Sequence, residues 1–299
     1  MTAPTADHAA RLAGDLGIPL ARVAATAALL ASGATVPFVA RYRKEATGSL
    51  DEVAIAAIRD GLARLAALDA RRDSIVGSLA ERGLLTDDLR GRVFAAGTLA
   101  LLEDIYLPFR PKRRTRAQAA REKGLEPLAA RLRVERPGDD PRGLAVAFVD
   151  AKNGLESSDD ALAGARDIIA EQASEDPDAR AELRQLCISS ATIRSRAVAG
   201  KETDGAKFKD YFDWQEPAGQ APSHRVLAMR RGEAEGFLFV RIAPPEDDAL
   251  ARMERRFVKG RGRSSDEVRA AVHDSWKRLL GPQLETEMRL RCKERADLE

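Results

Sequence analysis

The 299-residue sequence has little of several things that would declare a function. Aromatic residues make up 5% of it, too few for a large all-β sandwich or for a base-stacking platform along the whole chain. Cysteine occurs twice, at Cys187 and Cys292, far apart and in no metal-ligand spacing. Histidine occurs three times, at His8, His224 and His273. No run approaches the roughly 18 consecutive apolar residues of a membrane span. The opening MTAPTADHAARLAGDLG lacks the basic-then-apolar order of a signal peptide. Both cysteines therefore read as thiols of a reducing cytoplasm, and the expectation is a cytoplasmic protein with no membrane association.

Catalytic signatures are missing too. No zinc-protease, nucleophile-elbow, dinucleotide-binding or phosphate-loop pattern occurs. The paired acids Asp159–Asp160 and Asp247–Asp248 are helix neighbours that do not converge on one face. They read as charges complementing helix dipoles. His8 falls in a terminus expected to fray, His224 at a helix start, and His273 in a helix beside Asp274. Cys187, between Leu186 and Ile188, reads as a core thiol; Cys292, between Arg291 and Lys293, as a surface thiol. Trp214 and Trp276 read as packing anchors. The expectation is a non-enzyme with no catalytic residue, no metal and no cofactor.

What is present is helical pattern under a charged skin, with 44% hydrophobic and 32% charged residues. Ser49 and Glu52 suggest a capping box that opens a long helix to about Glu81. Val53, Ile58, Leu62, Leu65, Leu68, Ile75 and Leu79 mark its buried stripe. Thr86 can cap the next helix, Ser223 another, and Ser264 with Glu267 a further one. Pro108 and Pro111 predict extended backbone. Helix is expected over 178–197, a loop over the residues DWQEPAGQAPS, and a kink at Gly281 and Pro282. Phe237 to Ile242 is the one convincing strand.

The net charge of +2 conceals blocks. Residues 103–136 carry ten basic and five acidic side chains, residues 139–182 four and twelve, and residues 252–263 six and one. The densest cluster is Arg110, Lys112, Arg113, Arg114 and Arg116. Clustered arginine suits bidentate phosphate binding, so the segment reads as a nucleic-acid phosphate contact or a site for an acidic protein. Equally, it reads as a solvated loop paired with acids of neighbouring helices, the 139–182 block among them. A second cluster, Arg41, Tyr42, Arg43 and Lys44, follows the apolar Val36-Pro37-Phe38-Val39. It can contact nucleic acid with Tyr42 stacking on a base; the preferred reading is an interhelix junction with Phe38 and Tyr42 packed inside and Arg41 tied to carboxylates. The glycines of the 260–263 GRGR run, ahead of a helix, offer amides to a phosphate.

Four segments in order resemble the Tex family of bacterial transcription accessory proteins. They are VPFVARYRKEATGSLDE at 36–52, EDIYLPFRPKRRTRAQAAREKGLEPLA at 103–129, KFKDYFDWQEPAGQAPSHRVLAMRRGEAEGFL at 207–238 and HDSWKRLLGPQLETEMR at 273–289. The resemblance implies a cytoplasmic, RNA-binding, non-catalytic protein related to a eukaryotic elongation factor and histone chaperone. It also implies a longer architecture, in which a ribonuclease-H-like domain, helix-hairpin-helix units and an OB-fold RNA-binding domain follow, with this chain as the N-terminal half. The expected fold is mainly α, an elongated multi-helix assembly. A helix-turn-helix-like N-terminal domain spans 1–199, and the start of a central helical region spans 200–299, with at most a small β element near 236–242. Expected partners are RNA or DNA, through the phosphate contacts named above, and the transcription or ribosomal machinery. The alternative is a helical scaffold that docks on that machinery without touching nucleic acid.

Overall fold

The computed structural model describes residues 6–111 and 114–298, and these are mainly helical with one small sheet. They fall into two compact units that part between Phe109 and Arg110. The boundary expected at 199/200 lies inside the second unit.

The first unit holds α1 (Ala6–Leu16), α2 (Leu20–Ala31), α3 (Val36–Tyr42), α4 (Lys44–Thr47), α5 (Glu52–Glu81), α6 (Asp87–Ala95) and α7 (Leu99–Tyr106). Helix α5, at 30 residues about 45 Å long, is its spine. Ile58, Leu62 and Leu65 pack with Leu12 of α1 and Val23 of α2; Leu68, Ile75 and Leu79 pack with Leu89, Val93, Leu102 and Ile105 of α6 and α7. The stripe expected on α5 is therefore buried, except Val53, which is exposed. The five-residue step to Ile58 turns Val53 by about 140° around the helix axis, off the stripe.

The expected capping box also shifts. Gly48 and Ser49 both have positive φ, 67° and 63°, because they close the C-terminus of α4, where the Ser49 amide donates to Lys44 O. Asp51 caps α5 instead, accepting from the Ala54 amide at 2.7 Å. Thr86 does cap α6. Pro108 lies in a 3₁₀ turn, Leu107–Phe109, where extended backbone is expected.

The second unit holds α8 (Arg116–Glu122), α9 (Glu126–Val134), α10 (Pro141–Val146), α11 (Ser158–Ser174), α12 (Pro177–Ser190), α13 (Ser223–Ala234), α14 (Glu246–Phe257), α15 (Arg263–Asp274) and α16 (Gly281–Leu298). Its core runs without a break from Ala117 to Ala296. Helix α11 sits at the middle, against α8, α9, α10 and α15. Its alanines and Gly164 allow those helices close approach: a Cβ on Gly164 would lie 3.3 Å from that of Ala120. Neither Ser223 nor Ser264 caps its helix; the N-cap positions are Pro222 and Gly262, which have no capping side chain.

Strands β1 (Thr192–Ala197), β2 (Asp213–Pro217) and β3 (Leu238–Ala243) form an antiparallel sheet in the order β2-β1-β3. Only β3 matches a predicted strand. Strand β1 replaces the expected end of a helix, because TIRSRA alternates buried and exposed side chains with period two. Strand β2 replaces the start of an expected loop, being held by β1 through five registered positions. Strand β3 packs on α13 and α16. The open edge of β3 is closed by side chains. Glu233 accepts from the Val240 amide at 3.4 Å, Glu285 accepts from the Ile242 amide at 3.3 Å, and Arg289 donates to Val240 O. Such an edge gives no template for another strand.

The irregularity expected at Gly281 and Pro282 is a π-helical turn, Ser275–Leu280, between α15 and α16. A Cβ on Gly281 would lie 2.7 Å from Trp276 O. That atom belongs to the backbone of the π turn, so it cannot swing aside. We expect Gly281→Ala to destabilise the second unit by about 1–3 kcal/mol, read as a lower urea midpoint in circular dichroism; an unchanged midpoint would show that the turn relaxes freely.

Candidate nucleic-acid interface

In the first unit, burial on one side of α3 decides what the other side displays. Val39 and Ala40 are buried against Ile55 of α5. Phe38 and Tyr42, four residues apart, then share the outward face. Phe38 is 41% exposed and Tyr42 71%, which overturns the expectation that both pack inside a junction. Their ring centroids lie 5.4 Å apart. The Arg43 guanidinium sits 5.7 Å from the Phe38 centroid. Arg41 is held only loosely, 3.9 Å from Glu52 with both side chains in solvent. Lys44 is exposed at the start of α4. Two neighbouring exposed rings, their planes tilted at 42° and bordered by three cations, are the parts of a platform for unpaired bases and their phosphates. Phe38 is the residue that the sequence reading undervalued, although its spacing from Tyr42 was the available signal.

In the 110–116 cluster, in the second unit, the described cations differ in their surroundings. Arg110 is exposed. Lys112 and Arg113 lie outside the described residues. Arg114 forks onto Glu122 at 3.0 and 2.7 Å. Arg116, in the first turn of α8, lines a cleft of about 300 Å³ with Lys123, Asp160 and Asp167. Burial pushes the Asp167 carboxyl up, while Arg278 and Arg116 pull it down.

The acidic 139–182 block is neutralised mostly from elsewhere. Arg252 and Arg255 reach Glu182, Arg256 reaches Asp176 and Asp178, Arg278 reaches Asp167, and Arg263 reaches Asp140. Among the described residues of the basic 103–136 stretch, Arg121 joins it through Glu171 at 2.6 Å and Arg131 through Asp139 at 2.8 Å. The first amide of the GRGR run, that of Gly260, is taken as well. Glu135, in left-handed backbone at φ 52°, accepts from the Lys259 amide at 3.0 Å and the Gly260 amide at 2.7 Å. The protein supplies its own anion there, so Lys259 and Gly260 are clasped to the C-terminal end of α9.

Other expectations are corrected by burial. His8 is not frayed: it is buried in α1, with Nε2 2.6 Å from an Asp69 carboxylate oxygen. Cys292 is buried, not a surface thiol, and burial pushes its thiol up. Cys187 is buried as expected, and burial, with Glu287 adding to it, pushes its thiol up to about 11. Trp276 is a core anchor; Trp214 is half-buried, with Arg225 5.0 Å from its ring. Among the described residues, no group of three or more His, Cys, Asp or Glu side chains is placed to hold a metal ion, and no helix is long and apolar enough to cross a membrane.

The fold is that of a mainly α, two-unit protein with cationic surface segments. Residues 6–80 match the Tex-like protein N-terminal domain and residues 136–299 the Tex central region-like domain. The chain belongs to the Tex family. It is 45% identical to "Protein tex" of Bordetella pertussis over 248 residues, 82% of this chain and 31% of that protein. It is 40% identical to "Transcriptional accessory protein Tex" of Neisseria gonorrhoeae, over 96% of this chain and 38% of that one. It is 29% identical to "S1 RNA-binding domain-containing protein 1" of Homo sapiens, over 89% of this chain and 28% of that one. The chain thus spans about a third of the length of the relatives it matches.

Two outcomes follow from the buried groups. Glu135→Gln removes one acceptor oxygen facing two backbone amides and should cost about 1–3 kcal/mol, read as a drop in the urea midpoint. A midpoint within error of the parent would mean that water replaces the lost oxygen. Both thiols should resist a disulfide-exchange reagent at pH 8 in the folded protein and react at once in 6 M guanidinium; fast reaction of the native protein would contradict their burial.

Proposed function

We propose that this chain is the nucleic-acid-contacting helical part of an RNA-binding transcription accessory protein, acting by binding and not by catalysis, in the cytoplasm. The observation that carries this reading is the exposed Phe38–Tyr42 ring pair bordered by Arg41, Arg43 and Lys44. Exposed rings offer unpaired bases a stacking surface, and flanking cations take the phosphates. The helix-turn-helix character implied for the N-terminal domain would make its contact here, where α3 and α4 join at Arg43. Arg110, Lys112, Arg113 and Arg116 extend the reading as a second, backbone-tracking contact. Arg114 contributes less, since it must first leave Glu122. The names of the relatives, a transcriptional accessory protein and an RNA-binding-domain protein, support the same class. Docking on transcription or translation machinery through the acidic block is the weaker reading, because Asp176, Asp178 and Glu182 are already bound to arginines.

Anisotropy titration of a fluorescein-labelled 12-nucleotide RNA at several salt concentrations tests this. The double variant Phe38→Ala/Tyr42→Ala should bind about tenfold or more weakly, at roughly 1–3 kcal/mol per stacked base. Arg43→Ala and Lys44→Ala should each lower the salt slope by roughly 0.7. A weak signal, insensitive to salt and unmoved by these variants, would remove the direct-contact reading.

A further inference from the structure

The outer face of the three-stranded sheet carries a charge pattern that folding does not explain. Register places Arg194 of β1 directly opposite Arg241 of β3, with Gln215 of β2 on its other side. One row along, Arg196 of β1 lies between Phe239 of β3 and Asp213 of β2. All six side chains alternate outward, away from the packed face, and all six are exposed. Like charges directly opposite across two strands cost stability. Arg241 has a partial partner, Glu285 at 3.8 Å, while among the described residues Arg194 and Arg196 take part in no ion pair. Phe239, 62% exposed, is the most exposed aromatic ring of the second unit. A solvated sheet face needs neither the opposed arginines nor the ring.

We infer that this face is a second binding surface, for single-stranded RNA, distinct from the α3 ring pair and from the 110–116 segment. The inference rests on the RNA-binding reading proposed above. Arg194 and Arg241 meet one phosphate from two strands about 5 Å apart. Phe239 and the neighbouring Arg196 guanidinium present flat surfaces on which an unpaired base stacks. A duplex keeps its bases stacked inside and offers Phe239 nothing. An acidic peptide satisfies the arginines but leaves the ring unused. A peptide strand cannot join at β3, because Glu233, Glu285 and Arg289 already hold that edge.

The decisive comparison uses the full chain, a fluorescein-labelled U12 RNA, and unlabelled competitors: dT12, a 12-base-pair RNA duplex and polyglutamate. Phe239→Ala should weaken U12 binding about tenfold. Arg194→Gln/Arg241→Gln should lower the salt slope by roughly 0.7, the share of the one phosphate they hold. The same double variant should leave the melting temperature unchanged or raised, since it relieves an opposed like-charge pair; a merely structural role for these arginines would lower it. If the parent chain binds U12 and both sheet variants bind equally well, this face is not a site, while the ring-pair reading stands on its own variants. If the parent does not bind U12, both fall. Competition by the duplex or by polyglutamate as effective as that of unlabelled U12 would overturn the single-strand assignment in favour of a general anion surface, and dT12 competing equally would overturn the assignment to RNA.

Discussion

Arg256 spans Asp176 and Asp178 at 2.9 and 2.6 Å, while Arg252 and Arg255 share Glu182. These contacts fasten α14 to α12. Arg278 does the same between the π turn and α11 through Asp167, and Arg166 ties α11 to α15 through Glu267. The second unit is thus laced by arginine–carboxylate forks across helix pairs. This lacing decides which cations remain for a ligand, because a guanidinium already matched to a carboxylate must lose that match before it can take a phosphate. A basic-block count on the sequence weighs Arg255 and Arg194 equally; pairing separates them.

Such forks supply specificity more than stability. Partly exposed pairs are each worth about 0–1 kcal/mol, far less than the apolar burial running from Ala117 to Ala296. They fix which helix meets which, and the inward polar groups follow the same logic. Arg180 is almost fully buried in α12, and it donates to Ser174 O, Gln283 and Glu287. Glu135 spends its carboxylate on two backbone amides that would otherwise face protein without an acceptor.

The sequence carried much of this, unevenly. Helix α5 was legible because thirty residues with a sustained apolar stripe outweigh local ambiguity. Its start was misjudged by two residues because Ser49 and Asp51 are both plausible caps, and only the left-handed turn at Gly48–Ser49 separates them. Strands β1 and β2 were missed for another reason. Six residues of TIRSRA fit either period, and a strand between two others is specified by its neighbours across the sheet, not by its own run. The cationic segments were legible as segments. Their availability was not, since Glu122 for Arg114 and Glu135 for the Gly260 amide are partners that only the folded backbone brings within reach.

The exposed binding candidates share one cause. A short helix that buries Val39 and Ala40 must turn Phe38 and Tyr42 outward, and a strand that buries Ile193 and Ser195 must turn Arg194 and Arg196 outward. In both cases the periodicity that builds the core also displays the groups proposed to meet a ligand, on elements whose backbone is already fixed. Groups held that way lose little conformational freedom on binding. The loop-borne Arg114 differs, because contact with a phosphate must first break a two-pronged bond to Glu122. On the proposed binding reading, affinity is therefore expected to concentrate on the α3 face and the sheet face, with Arg114 adding mainly long-range attraction.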